Sequence, residues 1–298
     1  MKESEGEEKN SSENKSSFGS IPQTMNYVKG IWTGLYESRN ILKSMVRRNI
    51  MGKYRNSYLG IGWQFITPLV TIVLFYVVFT GIMRNGIDDY WAYLCVGMFP
   101  FYFMQTNLGA GSGCIASNGS YINKMYFPRS LIVFSQIVST LIVFLIAYAA
   151  IIVLILISGH GLNGGVALCL VPMITLMVLF STGYVLLLAS ITVFVRDIQH
   201  LIDAISRVFF WVTPVFYMAD STSGLLSSLI WFNPFTYFVE CFHNILYWGK
   251  VPEIIDIEVC ILVTILLLTV GIYVFQRLKG RFAERVRWTP RTLWRFTA

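Results

Sequence analysis

An uncharged apolar run directly follows a basic segment between residues 47 and 83. Four cations, Arg47, Arg48, Lys53 and Arg55, precede residues 62–83, which contain no charged side chain. At 1.5 Å per residue, a helix over this run can cross the roughly 30 Å hydrocarbon core of a bilayer. Because anionic head groups and the insertion machinery retain Lys and Arg in the cytoplasm, the basic end is expected on the cytoplasmic side.

The composition is that of a membrane protein. Of the 298 residues, 55% are hydrophobic and 13% are charged, so a soluble fold would need an implausibly large core. The net charge of +7 comes from cations at span ends and in the C-terminal tail, which indicates lipid head groups as the partner and not nucleic acid. The five cysteines are scattered without a paired spacing, so no metal site or disulfide framework is expected.

The apolar runs predict an all-α polytopic protein with six transmembrane helices. The spans are expected at residues 62–83, 90–115, 131–157, 166–194, 201–218 and 257–275. The predicted organisation is a disordered tail (1–20), a cytoplasmic amphipathic interface segment (21–60), the six-span domain (61–276) and a basic cytoplasmic tail (277–298). An even number of spans places both termini in the cytoplasm. The amphipathic segment fits a plain interfacial anchor as well as a helix that docks a partner.

Two apolar pieces between the fifth and sixth spans are too short to cross a bilayer. Residues 225–231 and 234–248 are separated by Asn233-Pro234, and both ends must lie outside if the last span is to finish inside. They are interpreted as re-entrant half-helices at the external face. Glu240 and His243 are three residues apart, which fits a polar rim better than a catalytic dyad.

The chain has no nucleotide-binding or nucleophile motif. It contains no Gly-x-x-x-x-Gly-Lys-Ser/Thr loop and no Gly-x-Ser-x-Gly elbow. The spans are almost free of ionisable groups, so ion-coupled transport is not indicated and the energy must come from a partner. Asp203 and Arg207 are an exception. An i,i+4 salt bridge at the membrane interface is the simpler interpretation, and a functional intramembrane pair is the alternative.

Aromatic side chains are frequent in and near the spans. They either line a channel, offering flat faces to sugar rings, or form the ordinary interfacial belts and core. The channel candidates are Phe65, Tyr76, Phe101, Tyr102, Phe209, Trp211 and Tyr217.

Several short motifs occur in a familiar order. Residues 47–50 (RRNI) and 53–63 (KYRNSYLGIGW) are followed by Tyr126-Phe127-Pro128-Arg129, Val195-Arg196-Asp197, Asn233-Pro234 and Phe275-Gln276-Arg277. Together they resemble the type-2 ABC transporter permeases that export O-antigen, teichoic acid and capsule polysaccharides, over residues 41–286. The resemblance implies a homodimer in the bacterial cytoplasmic membrane that recruits two copies of a separate ATPase, which holds the ATP and magnesium, so that this chain is no enzyme and needs no cofactor.

The resemblance also implies roles for particular residues. The first cytoplasmic loop would dock into the ATPase through Lys124, Met125, Tyr126, Phe127, Pro128 and Arg129, with the amphipathic helix over residues 43–58 beside it. The re-entrant pieces would form an external gate that includes Asn233, Pro234, Glu240 and His243. Arg47, Arg48, Lys53 and Arg55 would attract the pyrophosphate of a polyprenyl-pyrophosphate-linked glycan, although positive-inside anchoring also explains them. The alternatives are a type-2 exporter of drugs or other lipids, and a membrane-bound glycan-modifying enzyme that uses Glu240 or His243.

Overall fold

The computed structural model describes residues 38–52, 58–81, 89–119, 127–158, 164–219 and 222–282. The chain forms two compact units, residues 1–39 and residues 40–298. Only residues 38 and 39 of the first unit are described, so the fold below is that of the second. The predicted tail 1–20, residues 21–37 of the predicted interface segment and residues 283–298 of the predicted basic tail lie outside the described residues.

Every regular element in the described ranges is helical. The helices are α1 (Arg39–Gly52), α2 (Trp63–Gly81), α3 (Tyr90–Thr106), α4 (Cys114–Ser117), α5 (Ser130–Ile157), α6 (Gly164–Ala167), α7 (Leu170–Thr192), α8 (Asp197–Val212), α9 (Leu225–Phe232), α10 (Pro234–Leu246) and α11 (Ile254–Leu278). A π-helix, Asn107–Gly111, follows α3, and single 3₁₀ turns lie at Gly60–Gly62 and Lys279–Arg281.

Three helical segments are long and apolar enough to cross a membrane. They are Ser130–Ile157, Gly164–Thr192 and Ile254–Arg281, and they coincide with the predicted third, fourth and sixth spans. The chain is therefore an all-helical, multi-pass membrane protein. α2 lies within the predicted first span, and its most apolar part is Leu69–Val78. α3 and the π-helix lie within the predicted second span.

The bounds predicted for the fifth span are wrong. α8 starts at Asp197, inside the stretch predicted to be a turn, and ends at Val212 instead of residue 218. Asp197 in the first turn complements the helix dipole. Pro214 disfavours a helical conformation for the residue before it, and Thr213 is accordingly extended, with ψ 130°.

The chain after α8 is held against the N-terminal end of α3. The Tyr90 hydroxyl donates to the Phe216 carbonyl oxygen at 2.7 Å, and the Tyr93 hydroxyl donates to the Tyr217 carbonyl oxygen at 3.0 Å. Thr213, Val215 and Phe216 are buried. The apolar residues that suggested a longer span are therefore packed in an irregular segment.

α3 is the central helix of the bundle, and most of its side chains are buried. It contacts α2 on one side, α5 on another and α10 on a third. The most extensive helix–helix contact in the described ranges is between α7 and α11. A Cβ atom on Gly271 would overlap the Gly183 carbonyl oxygen, so the two backbones touch at this crossing. Small residues allow this close approach of membrane helices.

Candidate functional site

α1 is attached to the chain on both sides of the segment between α4 and α5, which was predicted to be the first cytoplasmic loop. The Arg48 guanidinium donates to the Asn118 side-chain oxygen just after α4, and the Asn49 amide donates to the Ser135 hydroxyl on α5 at 3.4 Å. Met45 and Val46 bury the apolar side of α1. A movement of this loop would therefore be transmitted to α1.

The predicted entrance cations lie in different environments. Arg48 is half-buried at its Asn118 contact, whereas Arg47 is exposed and its guanidinium contacts only the Met51 sulfur of its own helix, at 3.5 Å, in the described part of the chain. Lys53 and Arg55 lie outside the described residues. Of the two described cations, Arg47 is the one whose charge is open to a ligand.

Three of the six predicted coupling residues are described, and they lie at the start of α5. Phe127 is half-buried and packs against the hydrophobic core, Pro128 is exposed, and Arg129 directly precedes the helix. Lys124, Met125 and Tyr126 lie outside the described residues. Phe127 is therefore anchored in the fold, while Pro128 is accessible.

The predicted channel aromatics do not form one surface. Phe101 is fully buried, and the Phe209 ring packs edge-on against Phe235 at 5.1 Å. Tyr76 and Trp211 are 40% and 59% exposed. The side chains of Tyr102 and Tyr217 are half-buried, and that of Phe65 lies outside the described set. In the single chain, Tyr76 and Trp211 are the described members of this set with the most accessible rings.

Side chains of α5, α7 and α8 contact the last turn of α3 and the π-helix that follows it. Asn107 is fully buried, and its oxygen accepts a hydrogen bond from Thr140 of α5 at 2.9 Å. The Tyr184 hydroxyl of α7 donates to the Met104 carbonyl oxygen at 2.7 Å, and the Gln199 amide of α8 donates to that of Gly109 at 3.0 Å. π-Helices are uncommon and occur frequently at functional sites.

Asp203 and Arg207 do not form the expected salt bridge. Arg207 Nε donates to the Asp203 backbone carbonyl oxygen at 3.2 Å, while the carboxylate accepts from the Gln199 amide at 3.3 Å. Both side chains are exposed. The Arg207 guanidinium therefore contacts the backbone of Asp203 and not its carboxylate, and both charges lie on an exposed face of α8.

α9 and α10 form a tight helical pair with Asn233 between them. The Asn233 side-chain oxygen accepts from the Phe235 amide at 3.1 Å and caps α10, with Pro234 at its first turn. The Asn233 amide donates to the Thr213 hydroxyl at 2.8 Å. Because the Thr236 hydroxyl also donates to the Ile230 carbonyl oxygen at 2.7 Å, the two helices are fixed to each other.

His243 is buried where α10 crosses α3. Its ring stacks on Tyr93 with centroids 3.9 Å apart, and its Nε2 atom is 3.1 Å from the Tyr93 carbonyl oxygen. A Cβ atom on Gly97 would lie 2.8 Å from His243 Cε1, so only glycine fits beneath the ring. Glu240, one turn earlier, is half-buried. Within the described ranges, no three His, Cys, Asp or Glu side chains come together as a metal site would require.

Sequence reasoning missed the polar contacts at the centre of the bundle. Thr140 lies 33 residues from Asn107, and Gln199 lies 87 and 90 residues from its partners Ser112 and Gly109, so nothing in the local sequence indicates these contacts. Residues 109–113 contain three glycines, a composition that favours close helix contact, and α8 packs there. The departure from α-helical geometry could not be found from that composition alone.

Comparison with known proteins identifies relatives over most of the chain. A model of the ABC-2 type transporter family matches residues 41–247. An O-antigen export system permease protein, RfbA, from Myxococcus xanthus is 28% identical over 258 residues, which cover 85% of this chain and 97% of that relative. A protein of the same name from Klebsiella pneumoniae is 25% identical over 247 residues, covering 82% of this chain and 94% of the relative.

Proposed function

This chain belongs to the ABC-2 type transporter family, and we propose that it is the permease subunit of an ATP-driven exporter of lipid-linked polysaccharide. The cargo is of the O-antigen or teichoic acid class, and the membrane is the bacterial cytoplasmic membrane. The observation that carries this proposal is the family match over residues 41–247, a range that runs from α1 to the end of α10. Relatives named as O-antigen export permeases align with most of the chain and support the cargo class.

The proposed arrangement in the membrane has six crossings. α2, α3 with the π-helix, α5, α6 with α7, α8 and α11 cross in turn, and both termini lie in the cytoplasm. α9 and α10 enter and leave at the external face, because helices of 8 and 13 residues are only about 12 and 20 Å long. Asn233, Pro234, Glu240 and His243 belong to this external gate.

The open face of α8 supports a homodimer with a polar path between the subunits. Asp203 and Arg207 are exposed on a helix that also exposes Val208 and Trp211. Charged side chains in membrane segments avoid lipid and face protein or water. α8 therefore faces the second copy of the chain or a water-filled path, and Trp211 offers an aromatic face to the passing glycan.

The proposed ATPase partners act on the first cytoplasmic loop. Two copies of a separate subunit bind and hydrolyse ATP with magnesium, and each contacts the segment from Lys124 to Arg129. Arg48 and Asn49 connect α1 to both ends of this loop, so a push on the loop moves α1 and α5 together.

The glycan-modifying alternative finds little support in the position of His243. Its side chain is fully buried between α10 and α3, where a substrate has no access. The other alternative, an exporter of drugs or other lipids, predicts that those compounds and not the glycan stimulate ATP hydrolysis by the partner subunit.

The test is to purify the chain with its genomically adjacent ATPase and to measure ATP hydrolysis with and without polyprenyl-pyrophosphate-linked glycan. A stable complex whose ATP hydrolysis the glycan stimulates is the expected result.

Phe127→Ala and Arg129→Ala are expected to preserve ATP hydrolysis and to abolish its response to glycan. Arg281→Ala, which removes an exposed cation after α11, is expected to keep the response. A complex that responds to drugs but not to glycan would overturn the proposed cargo.

A further inference from the structure

A cavity of about 460 Å³ lies between α1, α2, α3, the π-helix and α5. Along α5 it extends from Gln136 to Ala147, which corresponds to about 16 Å of helix. Its lining includes Asn49 of α1 and Trp63 at the start of α2. Since both residues belong to the predicted cytoplasmic ends of their elements, the cavity opens in the inner half of the bundle.

The lining combines neutral polar groups with aromatic rings. Amides and hydroxyls come from Asn49, Gln105, Thr106, Gln136 and Thr140 on three different helices, and no charged residue is among the described lining residues. The rings of Trp63, Tyr102 and Phe144 complete the wall. Ligand pockets of proteins have volumes of roughly 300 to 1,000 Å³ and a similar mixture of apolar walls and a few polar groups.

Several of these polar groups have hydrogen-bonding capacity left. Within the described part of the chain, the Gln136 amide and the Thr106 hydroxyl make no hydrogen bond. Gln105 donates from its amide nitrogen to the Ser206 carbonyl oxygen at 3.1 Å, while its own side-chain oxygen accepts none there. The Thr106 side chain is exposed and that of Gln136 is half-buried, so a ligand or water in the cavity can reach these groups and pair with them.

The lining chemistry discriminates between ligand classes. A phosphate or pyrophosphate group calls for cations, which are missing from the described lining. An acyl chain would leave the two glutamine amides unsatisfied. A neutral, hydroxylated ring provides donors and acceptors for the amides and places its C–H faces on the aromatic rings.

We propose that this cavity is a binding site for a neutral sugar unit, held on the inner side of the bundle before export. The proposal rests on the proposed export function and adds a site within one subunit to the path between subunits. Two lining residues also hold the neighbouring elements, since Thr140 donates to Asn107 of the π-helix and Gln105 donates to α8. A sugar in the cavity therefore contacts the residues that connect α5, the π-helix and α8.

The test uses the full chain in lipid nanodiscs without any ATPase. The probe is octyl β-glucoside with a photoreactive diazirine on the sugar, and the comparison probe carries phosphocholine in place of glucose. We expect the glucoside to label peptides from residues 99–110 and 136–147, and the phosphocholine probe not to do so. Gln136→Leu and Thr106→Val are each expected to reduce glucoside labelling about tenfold, which corresponds to about 1.4 kcal/mol for a lost hydrogen bond.

Matched substitutions outside the cavity control for altered folding. Gln276→Leu and Thr269→Val make the same chemical changes on α11 and should leave labelling unchanged, and unaltered thermal unfolding of all four variants confirms their fold. Equal labelling by both probes, or labelling that the cavity variants do not reduce, would mean a lipid-filled groove and would overturn the sugar site. Specific labelling of a chain that binds no ATPase would overturn the export function and leave the sugar site standing.

Discussion

At the residue scale, local chemistry predicted the break between two helices but not the long-range hydrogen-bond partners of the residues there. Asn233-Pro234 was expected to separate two helices, because proline lacks an amide hydrogen and favours the first helical turn. Asn233 does cap α10, but its second hydrogen bond is to Thr213, 20 residues away. Arg47 and Arg48 are likewise equivalent in the sequence and differ in the structure, since only Arg48 reaches Asn118.

Arg47 tests the proposed entrance. Arg47→Glu removes an exposed positive charge and leaves the Arg48–Asn118 contact in place. We expect export of the glycan to fall while the chain still co-purifies with its ATPase, as measured by surface glycan and by pull-down. Arg48→Glu is the contrasting variant and should also lower thermal stability. Loss of ATPase binding in Arg47→Glu would make Arg47 a structural residue.

Gly97 tests the packing of α10 on α3. Gly97→Ala pushes a methyl group into the His243 ring and should lower the free energy of unfolding by about 1–3 kcal/mol. Thermal unfolding in detergent measures the change, and Gly280→Ala, with nothing within 4 Å, is the control. Combining Gly97→Ala with His243→Ala should cost less than the sum of the two single changes. Strict additivity would show that the two residues do not meet.

At the element scale, long apolar helices were predicted well and irregular ones were not. α5, α7 and α11 agree with the expected spans because crossing a bilayer requires a minimum apolar length. The same criterion extended the fifth span past Pro214, since the residues that follow are just as apolar although they pack in an irregular segment. The π-helix is contacted by Thr140 of α5 and Gln199 of α8, which are distant from it in the chain, so no local pattern could predict it.

Gln199 tests the connection between α8 and the π-helix. It donates to the Gly109 carbonyl oxygen and accepts from the Ser112 hydroxyl, both at 3.0 Å. Gln199→Ala is expected to lower the free energy of unfolding by about 1–2 kcal/mol and to weaken the stimulation of ATP hydrolysis by glycan. His200→Ala, at the exposed neighbouring position, should change neither quantity. Normal stimulation in Gln199→Ala would show that the connection has no part in coupling.

At the scale of the whole molecule, the sequence predicted the class and the family but not the helix neighbours. The apolar runs predicted a polytopic membrane protein from composition alone, and the ordered motifs predicted the family through their resemblance to known permeases. The central position of α3 and the crossing of α7 with α11 depend on packing between segments that are distant in the chain. Which of the predicted channel aromatics are buried and which are exposed depends on the same packing, so the sequence alone could not predict it.

The proposed homodimer predicts a directional cross-linking pattern. Val208 and Leu262 are 58% and 65% exposed, on α8 and α11 respectively. A thiol-specific cross-linker applied to membranes should join two Val208→Cys chains and should not join two Leu262→Cys chains, with the natural chain as the background. The opposite pattern would place α8 against lipid and α11 at the subunit contact.

The backbones of α7 and α11 touch where Gly183 crosses Gly271. With no layer of flexible side chains between them, the two helices are expected to keep their relative position during transport. A displacement of the first cytoplasmic loop is then expected to be taken up by α8, which packs less extensively against α7 than α11 does. Spin labels at the exposed residues Leu179 and Leu266 should keep their separation through a cycle of ATP hydrolysis, while labels on α8 should move relative to both.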